Sequence, residues 1–444
     1  MTANGEKRAT GKVAYINARL LDPATGLDAT GGLLTVGETI ADFGPGLFAG
    51  GQFEVGIPDD AQVIDCKGAC LAPGLIDIRV QLRDPGEEHK ETIQSGSRAA
   101  AAGGVTAMVC LPNTDPPIDD VSVLEFIARR AREVKLVKVY AYGALTRGLE
   151  GREITEIGLM AEAGAMGFTD GVKATADATV MRRALSYATA FGKPIIQHPE
   201  EPSLAAGGEM NEGEIAMRLG LKGIPAVAET IMVERDLRLV ELTGGRYHAA
   251  HLSTAGAIQR IREAKANGLP VTCDTAPHYF ALNEMAVGDY RTFAKVSPPL
   301  RAEADRRAVI EGIKDGTVDV IASDHAPQDQ DSKRLPFTQA EFGVVGLETL
   351  LPISLELVHN AHMSLIEVLA RLTSRPADVL GLRSGRLAKG GPADLVLFDP
   401  DRPWRIEDGE LNSKSKNSAF DGRPVQGRVL RTVVDGRTVY TLDR

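Results

Sequence analysis

From about Ala72 to Leu382 the chain alternates short apolar runs with segments of helical period, and there are eight such runs. This alternation constrains the fold more than any other feature. Strands separated by helices pair in parallel, because each crossover returns the chain to the same end of the sheet, and eight of them suggest a closed barrel. The runs end at Gln81-Leu82-Arg83, Leu111-Pro112-Asn113, Gly143-Ala144-Leu145, Phe168-Thr169-Asp170, Ile196-Gln197-His198, Ala250-His251-Leu252, Asp274-Thr275-Ala276 and Ala322-Ser323-Asp324. Helical patterns separate most of them. One follows Asp119-Asp120, with Val121, Leu124, Ile127 and Ala131 on one face. Another runs from Thr254 through Ile258 and Ile261 to a stop at Gly268, and Ser364-Leu365-Ile366-Glu367 reads as a capping box.

The two ends of the chain read differently. Lys12 to about Leu71 holds short strand patterns with Gly-rich turns, among them Val13–Ile16, Leu33–Val36 and Gln62–Asp65, with no helix-period segment between them. Asp394–Phe398 and Thr432–Arg437 repeat the pattern near the other end. The expected architecture is α/β: a (β/α)8 TIM barrel over residues 72–382, with a small β-sandwich built from both termini, 1–71 and 383–444.

A formal charge of −10 argues against nucleic acid or an anionic membrane as the main partner, since both select basic patches. A small anionic substrate stays compatible, because one well-placed Arg overrides the global sign. Cys66, Cys70, Cys110 and Cys273 are too few and too scattered for a disulfide framework and read as reduced thiols. The polar start, Met1 to Gly11, has no apolar run of signal-peptide type, and no stretch reaches the length of a membrane span. A cytoplasmic protein is expected.

Chemically capable residues gather at the strand ends: Arg83, Asn113, Asp170, His198, His251, His278 and Asp324. In a (β/α)8 barrel these ends converge on the face that carries the active site. Any one of them could be a loop residue or a hydrogen-bonded buried group, but seven at equivalent positions point to one site. His89 lies in a charged loop, and His359 and His362 end a helical segment, so all three are expected at the surface. Gly207-Gly208 lacks the strand and Lys of a phosphate loop.

These residues are recognisable. Pro73–Gly86, with its Leu82-Arg83-Asp84-Pro85-Gly86 end, resembles the first-strand motif of dihydroorotases, within the cyclic amidohydrolases. Gly103-Gly104-Val105-Thr106 with Leu111-Pro112-Asn113-Thr114 resembles the second strand. Phe168-Thr169-Asp170-Gly171, His251-Leu252-Ser253-Thr254, Pro298-Pro299-Leu300-Arg301, Ser323-Asp324-His325-Ala326-Pro327, Gly346-Leu347-Glu348-Thr349 and Gly391–Val396 follow in the family's order. The resemblance covers nearly the whole chain. It implies reversible interconversion of N-carbamoyl-L-aspartate and L-dihydroorotate in pyrimidine synthesis, with zinc polarising the carbonyl and acidifying bound water. Asp170, His198 and His251 match metal ligands, and Asp324 matches a ligand that is also the general base. Arg83 and Asn113 match the groups that hold the substrate's carboxylate, a role suited to the planar Arg fork. Lys173 is offset from the place of a carboxylated bridging lysine, and Asp170 fits better. The resemblance also implies a homo-oligomer.

The pattern breaks in four places. The family's first strand ends His-x-His, both metal ligands, but this chain has Arg79 and Gln81 there. Arg stays protonated and cannot ligate zinc, and Gln offers only a neutral amide oxygen. Ser297 stands for the usual Asn, and Gln328 for a second His. The surviving set predicts at most one zinc per chain. Without the other dication, Asp170 and Asp324 would repel as like charges. Arg79 shares a strand face with Asp77, Gln81 and Arg83 and is the expected replacement cation for one or both aspartates. Two readings follow. The kept residues favour a one-metal dihydroorotase. The departures favour a non-catalytic homologue that assembles with aspartate carbamoyltransferase as a structural subunit.

Overall fold

The structure, a computed structural model, describes residues 11–48 and 57–442. The polar start at residues 1–10 lies outside the described residues. Eight parallel strands form the central unit: β1 (Leu75–Val80), β2 (Val105–Cys110), β3 (Lys138–Ala141, resumed at Gly143–Ala144), β4 (Phe168–Thr169), β5 (Ile195–Gln197), β6 (Tyr247–Ala249), β7 (Val271–Thr275) and β8 (Val320–Ile321). Each pairs in parallel with the next. The ring closes where Val80 bridges His325 in parallel and the Gln81 N–H donates to the His325 carbonyl at 2.8 Å. The eight runs read from sequence are these strands, and the fold is the expected (β/α)8 barrel.

Every residue of β1 and β2 is buried, as expected for parallel strands covered on both faces. The connecting helices start where the sequence supplies caps. Asp120 accepts from the Ser122 and Val123 N–H groups at the head of Val121–Val134, and Thr254 accepts from Ala257 N–H at the head of Ala255–Ala266. The capping box at Ser364 and Glu367 opens Leu365–Leu372.

The two chain ends meet in a single eight-stranded sheet. Its order is Arg437–Thr441, Pro424–Val434, Leu395–Arg405, Cys70–Pro73, Lys12–Asp22, Leu27–Val36 and Thr39–Pro45, with Ala61–Asp65 pairing alongside Lys12–Asp22. Cys70–Pro73 leads directly into β1 through Gly74, whose absent side chain matters: a Cβ there would lie 2.1 Å from the Thr106 side chain. Lys138 on β3 binds Asp394 at 2.6 Å and Asp435 at 2.8 Å, tying sheet to barrel. All four cysteines are free and buried. No described helix is long and apolar enough to cross a membrane.

Candidate active site

The strands deliver their polar ends to one mouth. Gln81, Arg83, Asn113, His251, Ser297, Asp324 and Gln328 share the lining of a cavity of about 390 Å³. His198 and Glu200 line an adjoining cavity of about 410 Å³ that shares Val172 and Ser297 with the first. Arg83, His251 and Asp324 have φ of +60°, +40° and +50°. Left-handed backbone is uncommon for residues with a side chain, and the strain it costs is typically stored where a site fixes the chain's direction.

Asp324 sits at the centre, with both oxygens engaged. Arg79 Nε donates to Oδ1 at 2.8 Å, and His251 Nδ1 lies 3.1 Å from Oδ2. His278 Nε2 lies 3.9 Å from the same oxygen. Burial raises the Asp324 carboxyl's proton affinity, but His251 and then Arg79 outweigh it and hold the group well below the usual carboxylate range. Burial, reinforced by Arg79, pushes His251 down to about 4, and burial brings His278 to about 4 as well.

A chain of contacts continues from His251. Its Nε2 lies 2.7 Å from His198 Nδ1, and His198 Nε2 lies 3.4 Å from Glu200 Oε2, which also accepts from the Ser297 hydroxyl at 3.0 Å. Protons on the two outer nitrogens would face carboxylates, Glu200 and Asp324. The two inner nitrogens, 2.7 Å apart, are at hydrogen-bond distance, so one of them carries the shared proton. Imidazoles that bind metal are typically backed by carboxylates in this way. His198 Nδ1 and His251 Nε2 are the two imidazole nitrogens of the site that face each other instead of a carboxylate.

A two-ion centre does not fit. Among the described residues no group of three or more His, Cys, Asp or Glu gathers to hold a metal. Two of the four expected ligands are engaged within the protein. Asp170 accepts from the Thr146 N–H at 2.8 Å, the Thr146 hydroxyl at 2.7 Å and the Thr175 hydroxyl at 3.0 Å, so both its oxygens are taken. Asp324 is taken by Arg79 and His251. Arg79 was expected on one or both aspartates. It binds Asp324, and on the Asp170 side it reaches the Gly171 carbonyl, at 3.2 Å.

The other departures also have partners. Asn113 Nδ2 donates to Gln81 Oε1 at 3.0 Å, and Gln328 Nε2 donates to the Phe342 carbonyl at 2.8 Å. Arg83 lines the cavity and binds Glu87 at 2.8 Å through Nη1, while its buried Nε has no protein partner. His89, His359 and His362 are exposed, as is Lys173. Sequence reading missed Glu200, although His198-Pro199-Glu200 at a strand end was a usable signal. It also missed Asn417, which accepts from Gln328 N–H and donates to the Ala326 and Gly343 carbonyls, 91 and 74 residues away in sequence; no local pattern marks it.

Fold and site together define a cyclic amidohydrolase, built to hydrolyse amide bonds at the mouth of a barrel. L-hydantoinase (dihydropyrimidinase) from Arthrobacter aurescens superposes with a TM-score of 0.84 at 24% identity, covering 97% of each chain. Dihydropyrimidinase from Brevibacillus agri NCHU1002 gives 0.82 at 23% identity, covering 97% of this chain and 95% of that one. A family profile described as dihydro-orotase-like matches residues 68–257, and one described as amidohydrolase family matches residues 358–440. The dihydroorotase of Anaplasma phagocytophilum (strain HZ) is 51% identical, over 96% of this chain and 95% of that protein. That of Wolbachia sp. subsp. Drosophila simulans (strain wRi) is 49% identical, over 97% and 96%. That of Syntrophotalea carbinolica is 46% identical, over 97% and 99%. The chain belongs to the dihydroorotase family.

Proposed function

We propose that this chain interconverts N-carbamoyl-L-aspartate and L-dihydroorotate, acting in pyrimidine synthesis with at most one zinc per chain. The observation that carries this reading is the joint placement of Arg83, Asn113, His251 and Asp324 around one cavity at the strand ends. Arg83, at the cavity wall, offers the substrate carboxylate a charge-assisted hydrogen bond from its guanidinium, and Asn113, oriented by Gln81, adds a neutral donor. In the hydrolytic direction water adds to the ring amide carbon and the C–N bond breaks. Asp324 takes the proton from water and returns it to the leaving nitrogen. When bound, zinc held by His198 and His251 polarises the amide carbonyl and makes water more acidic. Thr146 and Thr175 hold Asp170, which we assign to supporting the Gly171 turn.

We also propose that the chain works in the cytoplasm as a homo-oligomer, with residues 1–71 and 383–444 as one structural unit and 72–382 as the other. The test is dihydroorotate hydrolysis by the purified protein and by Asp324→Asn. The parent should turn over, and the variant should lose roughly 100- to 10,000-fold. Unimpaired turnover by Asp324→Asn would remove Asp324 from the mechanism. No parental turnover, with a stoichiometric complex on co-purification with aspartate carbamoyltransferase, would establish the structural-subunit reading instead.

A further inference from the structure

The mismatch between the donor set and a two-ion centre has a physical counterpart at Arg79. The side chain is 2% exposed and fully enclosed by the barrel. A buried guanidinium is costly unless anions and acceptors surround it. Arg79 has them: Asp324 on Nε at 2.8 Å and the Gly171 carbonyl on Nη2 at 3.2 Å. Its backbone N–H donates to the buried carboxylate of Asp77 at 3.1 Å, and Asp77 also accepts from Ser323 N–H, one residue before Asp324. The first strand and the last are thus joined through Arg79 at the floor of the cavity. Nη1 is buried and has no protein partner, so one donor of the fork is left over.

We propose that Arg79 is a built-in cation of the active site, occupying the space in which a His-x-His strand end would hold a metal ion and fixing Asp324 between itself and His251. The site then has one permanent, non-exchangeable positive charge from the chain and one exchangeable position between His198 and His251. Arg79 is a positioning residue: it touches Asp324, which lines the cavity, but does not line the cavity itself. Gln81 follows from the same substitution. Freed from ligation, its amide oxygen faces Asn113 and orients the amide that meets the substrate. This inference deepens the dihydroorotase reading, but its test does not depend on turnover.

The test has two arms on the full chain. Zinc per chain is measured by elemental analysis in the parent, in Gln81→His, and in Arg79→His/Gln81→His. Gln81→His alone should add no metal, because the guanidinium still fills the space, and the double variant should add one ion per chain. A second ion in the parent or in Gln81→His, or none gained by the double variant, would overturn the proposal. In the second arm, thermal unfolding is compared for Arg79→Met, Arg79→Lys, Asp324→Asn and Arg79→Met/Asp324→Asn. Arg79→Met should lower the midpoint more than Arg79→Lys, which keeps a cation. The double variant should be more stable than the sum of the single losses predicts. Simple additivity, or equal losses for Met and Lys, would show that Arg79 is not the charge partner of Asp324. Failure of turnover with both arms satisfied would reject the dihydroorotase reading and leave the built-in cation standing.

Discussion

At the scale of the residue, the site is organised around one carboxylate whose two oxygens are both spoken for. Arg79 and His251 hold Asp324 ionised and fix its direction, and a left-handed φ of +50° turns it into the cavity. The same pairing makes it reluctant to accept a proton, because a base works best with a proton affinity near the operating pH. As the base of the proposed mechanism, Asp324 would need water and substrate to compete with Arg79 for its oxygens. Arg83 has a simpler task. Its Nη1 is anchored on Glu87, which keeps Lys90 as a partner, so Arg83→Ala removes a substrate contact without stranding a carboxylate. A hydrogen bond to a charged group contributes about 1.5–3 kcal/mol. Steady-state kinetics of Arg83→Ala should show KM raised roughly ten- to a hundredfold with a smaller change in kcat. A fall in kcat at unchanged KM would instead place Arg83 at the reacting bond.

At the scale of the element, strand ends hold the chemistry and the segments around β8 hold the strand ends. Residues 341–344 line the cavity. Two buried lysines lie beneath them without a carboxylate hydrogen-bond partner: Lys333 Nζ donates to the Glu341 carbonyl at 2.7 Å, and Lys295 Nζ to the Phe337 carbonyl at 2.6 Å. Burial, then the neighbouring Lys295, lowers Lys333 to about 7. Between about pH 7 and 10.5 the unfolded chain keeps the Lys333 proton and the folded chain releases it, so this group makes stability rise with pH, by at most about 1.4 kcal/mol per pH unit. Denaturant unfolding of Lys333→Met at pH 7, 8 and 9 should show a flatter pH slope than the parent. Parallel slopes would mean that Lys333 is not perturbed. Asn417 tethers Ala326, Gln328 and Gly343 from a distant segment. Asn417→Ala should cost about 1–3 kcal/mol in the same measurement, because it leaves buried backbone groups unpaired. An unchanged midpoint would mean that water replaces the amide.

These elements also mark the limit of what the sequence made legible. The eight strands were readable because parallel strands buried on both faces are continuously apolar and end on polar residues. The capped helices were readable because Asp120, Thr254 and Ser364 with Glu367 are local signals. The pairing of Arg79 with an aspartate was readable from charge balance, but its choice of Asp324 over Asp170 was not. That choice depends on Thr146 and Thr175 occupying Asp170, a contact between different loops. Asn417 and the two buried lysines were illegible for the same reason.

At the scale of the whole molecule, the terminal sheet and the barrel form one continuous build. Cys70–Pro73 pairs antiparallel with Leu395–Phe398 and then passes through Gly74 into β1, the strand that carries Arg79, and on to Gln81 and Arg83. Lys138, with Asp394 and Asp435, pins the sheet beside the same junction, where the Asp394 carbonyl accepts from the Gly74 N–H at 2.9 Å. Arg79 is thus buried in the strand through which the terminal sheet enters the barrel. The formal charge of −10 leaves substrate attraction to the local cations at the mouth, Arg83 and Lys90. In the proposed reading this dihydroorotase carries a cation of its own barrel in place of one metal ion. The most direct measurement is zinc per chain and dihydroorotate turnover on one preparation of the parent protein. Turnover with no more than one zinc per chain is expected; two tightly bound ions, or no turnover with the zinc position filled, would rule out a barrel cation in place of one metal.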